Sequence, residues 1–139
     1  MFLTGRADHQ VDDKGRIRSP AKFKTELGAN PFIALGIGGC LYIYPEGEAK
    51  QIYGQIFSSI NPYTTDPRLM GMRKILGNGE FIQEDTHNRL LIPKYLLDAA
   101  KITKNIVSIG MIDHIELWAE EVWAEFDKGT DLNKCFGEN

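Results

Sequence analysis

Cysteine is scarce in this sequence, and its two copies show no pattern that would join them. Cys40 and Cys135 stand far apart, and neither belongs to a CxxC pair. Disulfide frameworks and zinc knuckles both need several cysteines at short, regular spacings. The sequence therefore excludes both, and this cysteine usage is typical of a reducing compartment.

Long apolar runs are also missing. No stretch approaches the roughly 20 apolar residues that cross a bilayer, and the N-terminus has no apolar core of the signal-peptide kind. We therefore expect a cytoplasmic protein without a membrane partner. The chain has 139 residues, 42% hydrophobic and 25% charged, which suits one compact core or two tightly joined halves.

An excess of positive charge is lacking, which bears on the choice of partner. The formal net charge is −3 at pH 7. The charge is unevenly spread, because residues 1–24 hold six basic and three acidic side chains, whereas residues 110–139 hold two basic and eight acidic ones. The local field decides whether a phosphate backbone is attracted. The basic N-terminal segment therefore suits a polyanion although the whole chain is acidic.

Patterns that carry catalysis are absent too. Asp12 and Asp13 resemble an acid–base pair, but as adjacent strand residues they face opposite sides and cannot share one substrate. Ser58, Ser59 and Ser108 have no motif that would activate a nucleophile. The glycines within residues 36–39 lack the spacing of a dinucleotide-binding loop and indicate a hairpin turn.

The histidines are scattered at His9, His87 and His114. A metal site at His87 with Glu84 and Asp85 is the alternative to an exposed turn histidine, which the pattern favours. The sequence thus predicts no enzyme: no catalytic residue, no metal and no cofactor.

What the sequence does contain is one motif written twice. Residues 12–20 read DDKGRIRSP and residues 85–93 read DTHNRLLIP, with aspartate, arginine and proline recurring at a period of 73. The segments that follow repeat one residue later in period, so that residues 33–36 and 41–44 return as 107–110 and 115–118. A fixed period indicates two copies of one supersecondary unit.

Each copy predicts a strand, a tight turn, a second strand and a helix. Asp12 and Asp85 begin the turns, where an aspartate accepts hydrogen bonds from backbone N–H groups that follow it. Gly15 and Asn88 are residue types that tolerate a positive φ. The arginine then lies just past each turn, at its rim.

The helix starts are marked by prolines. Pro20 and Pro93 are predicted at the first helical positions, with Ser19 as the N-cap of the first copy. Phe23 and Leu27 should face inward in the first helix, which ends at Gly28.

Helices are also predicted between the copies and at the end of the chain. The first begins at Pro45 and carries an apolar stripe of Ala49, Ile52, Tyr53, Ile56 and Ile60. The second is capped by Asp66 and should bury Leu69, Met72 and Leu76. The final helix should bury Val122, Trp123 and Phe126. Residues from 128 onward indicate a loosely held tail.

This arrangement resembles the SpoVT-AbrB swapped-hairpin module, and two such modules in one chain resemble the MraZ family. The resemblance covers nearly the whole chain, and its most specific parts are the two Asp-x-x-x-Arg motifs, each with a proline four residues after the arginine. The chain departs from the family pattern at Asn88, where glycine is expected, and at His87, where a longer polar side chain is common.

The resemblance implies an α+β fold with two βαβ-type swapped-hairpin (AbrB-like) half-barrels paired within one chain, with connecting and C-terminal helices. The expected segments are repeat 1 at residues 6–50, a helical connector at 51–78, repeat 2 at 79–122, and the C-terminal helix end with an acidic tail at 123–139.

The resemblance also implies a transcription regulator whose partner is double-stranded DNA. The residues expected to contact DNA are Arg16, Arg89, Lys14 and Arg18. The residues expected to organise the turns are Asp12, Gly15, Asp85 and Asn88. Homo-oligomeric rings are implied, with each subunit presenting its turns to one repeat of an operator.

The implied targets are promoter repeats of the division and cell-wall gene cluster, reached from a nucleoid-associated cytoplasmic location. The alternative is an assembly or interaction protein that keeps the swapped-hairpin fold without DNA binding. The acidic balance and the altered second motif would allow it.

Overall fold

The computed structural model describes residues 1–137, and within them the chain forms eight strands and six helices. The strands are β1 (Arg6–Gln10), β2 (Arg16–Arg18), β3 (Phe32–Leu35), β4 (Leu41–Tyr44), β5 (Glu80–Phe81), β6 (Arg89–Leu91), β7 (Asn105–Gly110) and β8 (Ile115–Ala119). The helices are α1 (Ala21–Leu27), α2 (Ala49–Ser58), α3 (Pro67–Gly77), α4 (Lys94–Ala99), α5 (Glu120–Gly129) and α6 (Leu132–Phe136). The predicted α+β class is confirmed.

The two copies of the motif exchange strands. A six-stranded antiparallel sheet has the order β1-β7-β8-β4-β3-β5, and β2 pairs with β6 in a separate two-stranded sheet. Strand β1 of the first copy therefore lies beside β7 of the second, while β5 of the second copy lies beside β3 of the first. This confirms the interlocking of swapped hairpins within one chain.

One hydrophobic core joins both copies. Ile17 of β2 and Leu90 of β6 are opposite each other across the two-stranded sheet, and both are fully buried. Helices α1 and α4 add Phe23 and Leu96 to the same cluster. Burying one such side chain contributes about 1.5–3 kcal/mol. Because the cluster takes its members from both copies, neither copy has a complete core alone.

The two prolines lie just before their helices and not, as the sequence predicted, at the first helical positions. Helix α1 begins at Ala21 and α4 at Lys94, so Pro20 and Pro93 are the N-cap residues, with φ of −53° and −55°. Ser19 is not a cap: its buried Oγ has no hydrogen-bond partner among residues 1–137. The reason is that Pro20 has an extended ψ of 139°, which leaves Ser19 outside the cap position.

The connecting helices pack less completely than their apolar stripes predicted. Helix α2 begins at Ala49 rather than at Pro45, and Ile56 is exposed. The buried part of α2 centres on Tyr53, whose ring packs against Phe32 and Tyr44. The last turn of the helix extends beyond this aromatic cluster.

Helix α3 is also buried over only part of its apolar stripe. Asp66 caps it as predicted, since its carboxylate accepts a hydrogen bond from the N–H of Arg68. Leu69 and Met72 are buried, but Leu76 in the last turn is exposed. The cluster that these helices form with β3 and β4 therefore covers only their inner turns.

The final helix packs through the predicted side, but that side is only partly covered. No residue of α5 is buried; Val122 and Trp123 are half-buried, and Phe126 is 48% exposed although its ring stacks edge-on against Trp118. The helix packs on β7 and β8 from one side only.

Part of the predicted loose tail is helical. Asp131 caps α6 by accepting a hydrogen bond from the N–H of Asn133, and none of the α6 residues is buried. The last two positions of the predicted acidic tail, Glu138 and Asn139, lie outside the described residues. Among residues 1–137, no helix has the length and apolar character needed to cross a membrane.

Candidate nucleic-acid interface

The first turn is organised by one carboxylate. Asp12 Oδ1 accepts hydrogen bonds from the backbone N–H groups of Lys14 and Arg16, each at 2.9 Å. Its Oδ2 accepts a third from Nε of Arg16 at 2.7 Å. The backbone closes the same loop, because the N–H of Gly15 donates to the carbonyl of Asp12. A single aspartate thus sets both the turn and the direction of the arginine that follows it.

The second turn repeats this geometry atom for atom. Asp85 Oδ1 accepts from the N–H groups of His87 and Arg89, at 2.8 and 2.9 Å, and Oδ2 accepts from Nε of Arg89 at 3.0 Å. The N–H of Asn88 donates to the carbonyl of Asp85. The substitutions within the second motif therefore leave the shape of its turn intact.

Both turns need a residue in the left-handed region. Gly15 has φ of 82° and Asn88 has φ of 61°, as the motif predicted. A Cβ at Gly15 would stand 3.2 Å from the carbonyl oxygen of Ile92, so the first turn also approaches the other copy closely. Asparagine tolerates this region better than most side chains do, which explains why the second turn forms without glycine.

Strand pairing brings the two turns to one surface. In the β2–β6 sheet, Arg16 lies opposite Leu91 and Arg18 lies opposite Arg89. Alternate strand residues face opposite sides, so the buried pair between them leaves these four side chains on the outer face. We call this face the arginine ribbon and define it as Arg16, Arg18, Arg89 and Leu91.

The arginines of the two motifs share one depression of about 290 Å³. It is lined by His9, Gln10, Asp12, Arg16, Arg18 and Arg89. Arg16 and Arg89 are 25% and 24% exposed, so each is held against the surface without being buried. Within residues 1–137, their hydrogen bonds to protein use Nε and the backbone N–H, which leaves the terminal Nη nitrogens open to solvent partners.

The other two predicted contacts differ in how they are held. Arg18 donates from Nη1 to the carbonyl of His87 at 2.8 Å, so it spans from the first copy to the second turn. Lys14 is exposed at the tip of the first turn. The structure therefore brings Arg16, Arg18 and Arg89 together, while Lys14 extends the basic surface at one end.

The electrostatics keep the aspartates charged and one histidine neutral. Hydrogen bonds from the backbone N–H groups of Arg16 and Arg89 are the main reason that the pKa values of Asp12 and Asp85 are lowered. Burial lowers the pKa of His9, whose Nε2 contacts the hydroxyl of Ser108. The depression thus brings three guanidinium groups beside a neutral ring, and the charged carboxylates of Asp12 and Asp85 each pair with one of them.

Sequence reasoning missed part of this surface. His9 and Gln10 of β1 line the depression only because β1 crosses to β7 of the other copy. Leu91 belongs to the ribbon because of its register opposite Arg16. The repeat was the one signal that could have identified Leu91. At the period of 73, position 91 corresponds to position 18, where Arg18 was already a predicted contact residue.

The other residues considered as candidates lie outside the arginine ribbon. Asp13 is exposed in the turn, so the earlier reason for separating it from Asp12, that both are strand residues, was wrong. Ser58 and Ser59 donate to backbone carbonyls within their own helix region. Burial raises the pKa of Cys40 to about 12. Within residues 1–137, no three side chains of metal-binding type come together.

The fold and the paired turns define a tandem swapped-hairpin protein, in which two copies of one module interlock in a single chain. A family model described as "MraZ protein, putative antitoxin-like" matches residues 2–70 and 75–133. The chain therefore belongs to the MraZ family, as its resemblance indicated.

Curated relatives agree over almost the full chain. A protein of Clostridium tetani is 37% identical over 127 residues, covering 91% of this chain and 87% of the relative. One of Clostridium acetobutylicum is 36% identical over 134 residues, with 96% and 92% covered. One of Caldanaerobacter subterraneus is 35% identical over 132 residues, with 95% and 91% covered. Each of the three is named "Transcriptional regulator MraZ".

Proposed function

We propose that this protein is a sequence-specific DNA-binding transcriptional regulator that recognises repeated promoter sites. The observation that carries the proposal is the pairing of β2 with β6, which puts the arginines of both motifs on one outward face. The names of the relatives support the same class. The target sites that the family resemblance suggests are those of the division and cell-wall gene cluster.

The ribbon has the architecture and chemistry that suit the major groove. That groove admits a two-stranded β-ribbon, and arginine can bind O6 and N7 of guanine in a bidentate way. The open Nη nitrogens of Arg16 and Arg89 are available for such bonds, because the Asp12 and Asp85 carboxylates hold only the Nε side. Lys14 and Arg18 would then serve phosphates and fix the orientation of the protein.

Assembly into a ring would compensate for the small number of basic groups in one chain. Several large apolar side chains of α2, α3 and the loop between them are exposed: Ile56, Phe57, Tyr63, Met70 and Leu76. Such side chains suit a contact between subunits better than contact with water. Subunits in a ring would engage several repeats at once, and the effective concentration of linked sites would raise affinity without new contacts.

No enzymatic activity or cofactor belongs to this proposal. The protein would act in the cytoplasm at the nucleoid, where its operator lies. Two observations favour the alternative, an assembly protein without DNA binding: the net charge is −3, and the second turn carries His87 where the first carries Lys14.

A salt titration separates these two functions. Fluorescence anisotropy measures binding to a duplex that carries several repeats from the region upstream of the gene for this protein. A single repeat and a scrambled duplex are the controls. A regulator should bind the repeated duplex best, and log K should fall by about 0.9 per phosphate contact for each unit of log salt. Absence of binding at low salt, with oligomers still present by light scattering, would leave only the assembly function.

A further inference from the structure

We infer that Leu91 is a specificity-determining residue that contacts the 5-methyl group of thymine beside the base bound by Arg16. This inference rests on the proposed function, since it concerns how the same ribbon reads DNA. It adds an apolar contact to a surface so far described by its arginines.

The first observation is the position of Leu91 on the ribbon. Its side chain is 56% exposed, although its neighbour Leu90 is fully buried. It lies directly opposite Arg16 in the β2–β6 register, on the outer face. A lone exposed leucine is ordinary on a protein surface. This one shares its face with three arginines.

The second observation comes from the repeat. Position 91 is the copy of position 18 at the period of 73, so the pseudo-symmetric counterpart of Leu91 is Arg18. Arg18 reaches the carbonyl of His87 in the second turn, whereas Cδ1 of Leu91 leans towards the first turn, 3.9 Å from where a Cβ of Gly15 would stand. The two ends of the ribbon are therefore alike in backbone and different in chemistry.

The chemistry of the groove selects one partner for an apolar side chain. Leucine neither donates nor accepts hydrogen bonds, so phosphates and polar base edges give it no favourable contact. Thymine alone among the four bases presents a methyl group on its major-groove edge. A leucine next to an arginine would thus read thymine beside guanine, while at the other end of the ribbon Arg89 lies opposite Arg18 and has no apolar neighbour of this kind.

The test removes the methyl group from the DNA instead of altering the protein alone. A duplex is selected from a random-sequence library with the native protein, and each thymine is replaced in turn by deoxyuridine. At one thymine position in each repeat, the replacement by deoxyuridine should weaken binding of the native protein. The expected loss is about fourfold for each repeat, which corresponds to one buried methyl group. Leu91→Ala should bind the thymine and uracil duplexes equally, and Leu91→Met should restore the difference.

Leu132→Ala is the matched control, because Leu132 is an exposed leucine of α6, outside the ribbon. It should keep the native preference for thymine. Equal binding of all uracil duplexes by the native protein would overturn the inference, and so would a thymine preference that survives in Leu91→Ala. These outcomes leave the proposed function standing. Failure of the native protein to bind any duplex would overturn both.

Discussion

Replacing Arg16 with alanine should weaken DNA binding far more than it weakens the fold. The change removes the two open Nη nitrogens and the Nε bond to Asp12, but the two backbone N–H bonds to Asp12 remain to hold the turn. One bidentate contact with a base is worth about 1–3 kcal/mol, so affinity should fall between about fivefold and 150-fold. The melting temperature should fall by no more than about 4 °C.

Arg89→Ala should behave in the same way, since the second turn has the same geometry. Lys128→Ala is the charge-matched control: Lys128 is exposed in the last turn of α5 and belongs neither to the arginine ribbon nor to the exposed apolar side chains of α2 and α3. It should leave affinity within about twofold of the native value.

Fluorescence anisotropy with specific and scrambled duplexes gives both affinity and selectivity. Arg16→Ala should lose more on the specific duplex, so the ratio between the two should shrink. Native affinity in Arg16→Ala would refute the assignment of that side chain. An equal loss in Lys128→Ala would show that total charge, and not the ribbon, governs binding.

Three further predictions concern the fold itself. Leu90→Ala should cost about 2–5 kcal/mol in urea unfolding, because a fully buried core side chain leaves a cavity; a cost below about 1 kcal/mol would contradict the shared core. Gly15→Ala should lower the free energy of unfolding by about 1–2 kcal/mol, because alanine is strained at a φ of 82°. Asn88→Gly should leave it within about 0.5 kcal/mol of the native value. A larger loss in Asn88→Gly than in Gly15→Ala would refute the turn geometry. The lowered pKa values of Asp12 and Asp85 mean that their stabilising contribution is present above their ordinary pKa of 3.8 and is lost as pH falls through the lower folded values. The urea midpoint should therefore drop more on acidification for the native protein than for the Asp12→Asn, Asp85→Asn double variant, and equal drops would refute the carboxylate role.

The repeat and the turns could be predicted because they depend on short-range relations. An aspartate four positions before an arginine, with Gly15 or Asn88 between, specifies a turn through hydrogen bonds among neighbours in sequence. The cap at Asp66 and the β3–β4 hairpin follow from equally local signals. Burial on the helices was harder to predict, since Ile56 and Phe126 fit their apolar stripes and are nevertheless exposed. An apolar stripe shows which face a helix would bury, but not how far its neighbours extend.

The sequence by itself determined that two copies of one turn exist and that each places an arginine behind an aspartate, because those bonds close within five residues. Only the tertiary structure decided that β2 pairs with β6, that Arg16 faces Leu91, and that β1 brings His9 beneath the arginines. The paired residues of β2 and β6 are 71 to 75 positions apart in the sequence, and His9 is held by β7, where it lies opposite Ile106. The β2–β6 register is set by the packing of Ile17 against Leu90 in a core drawn from both copies. No local periodicity carries that information.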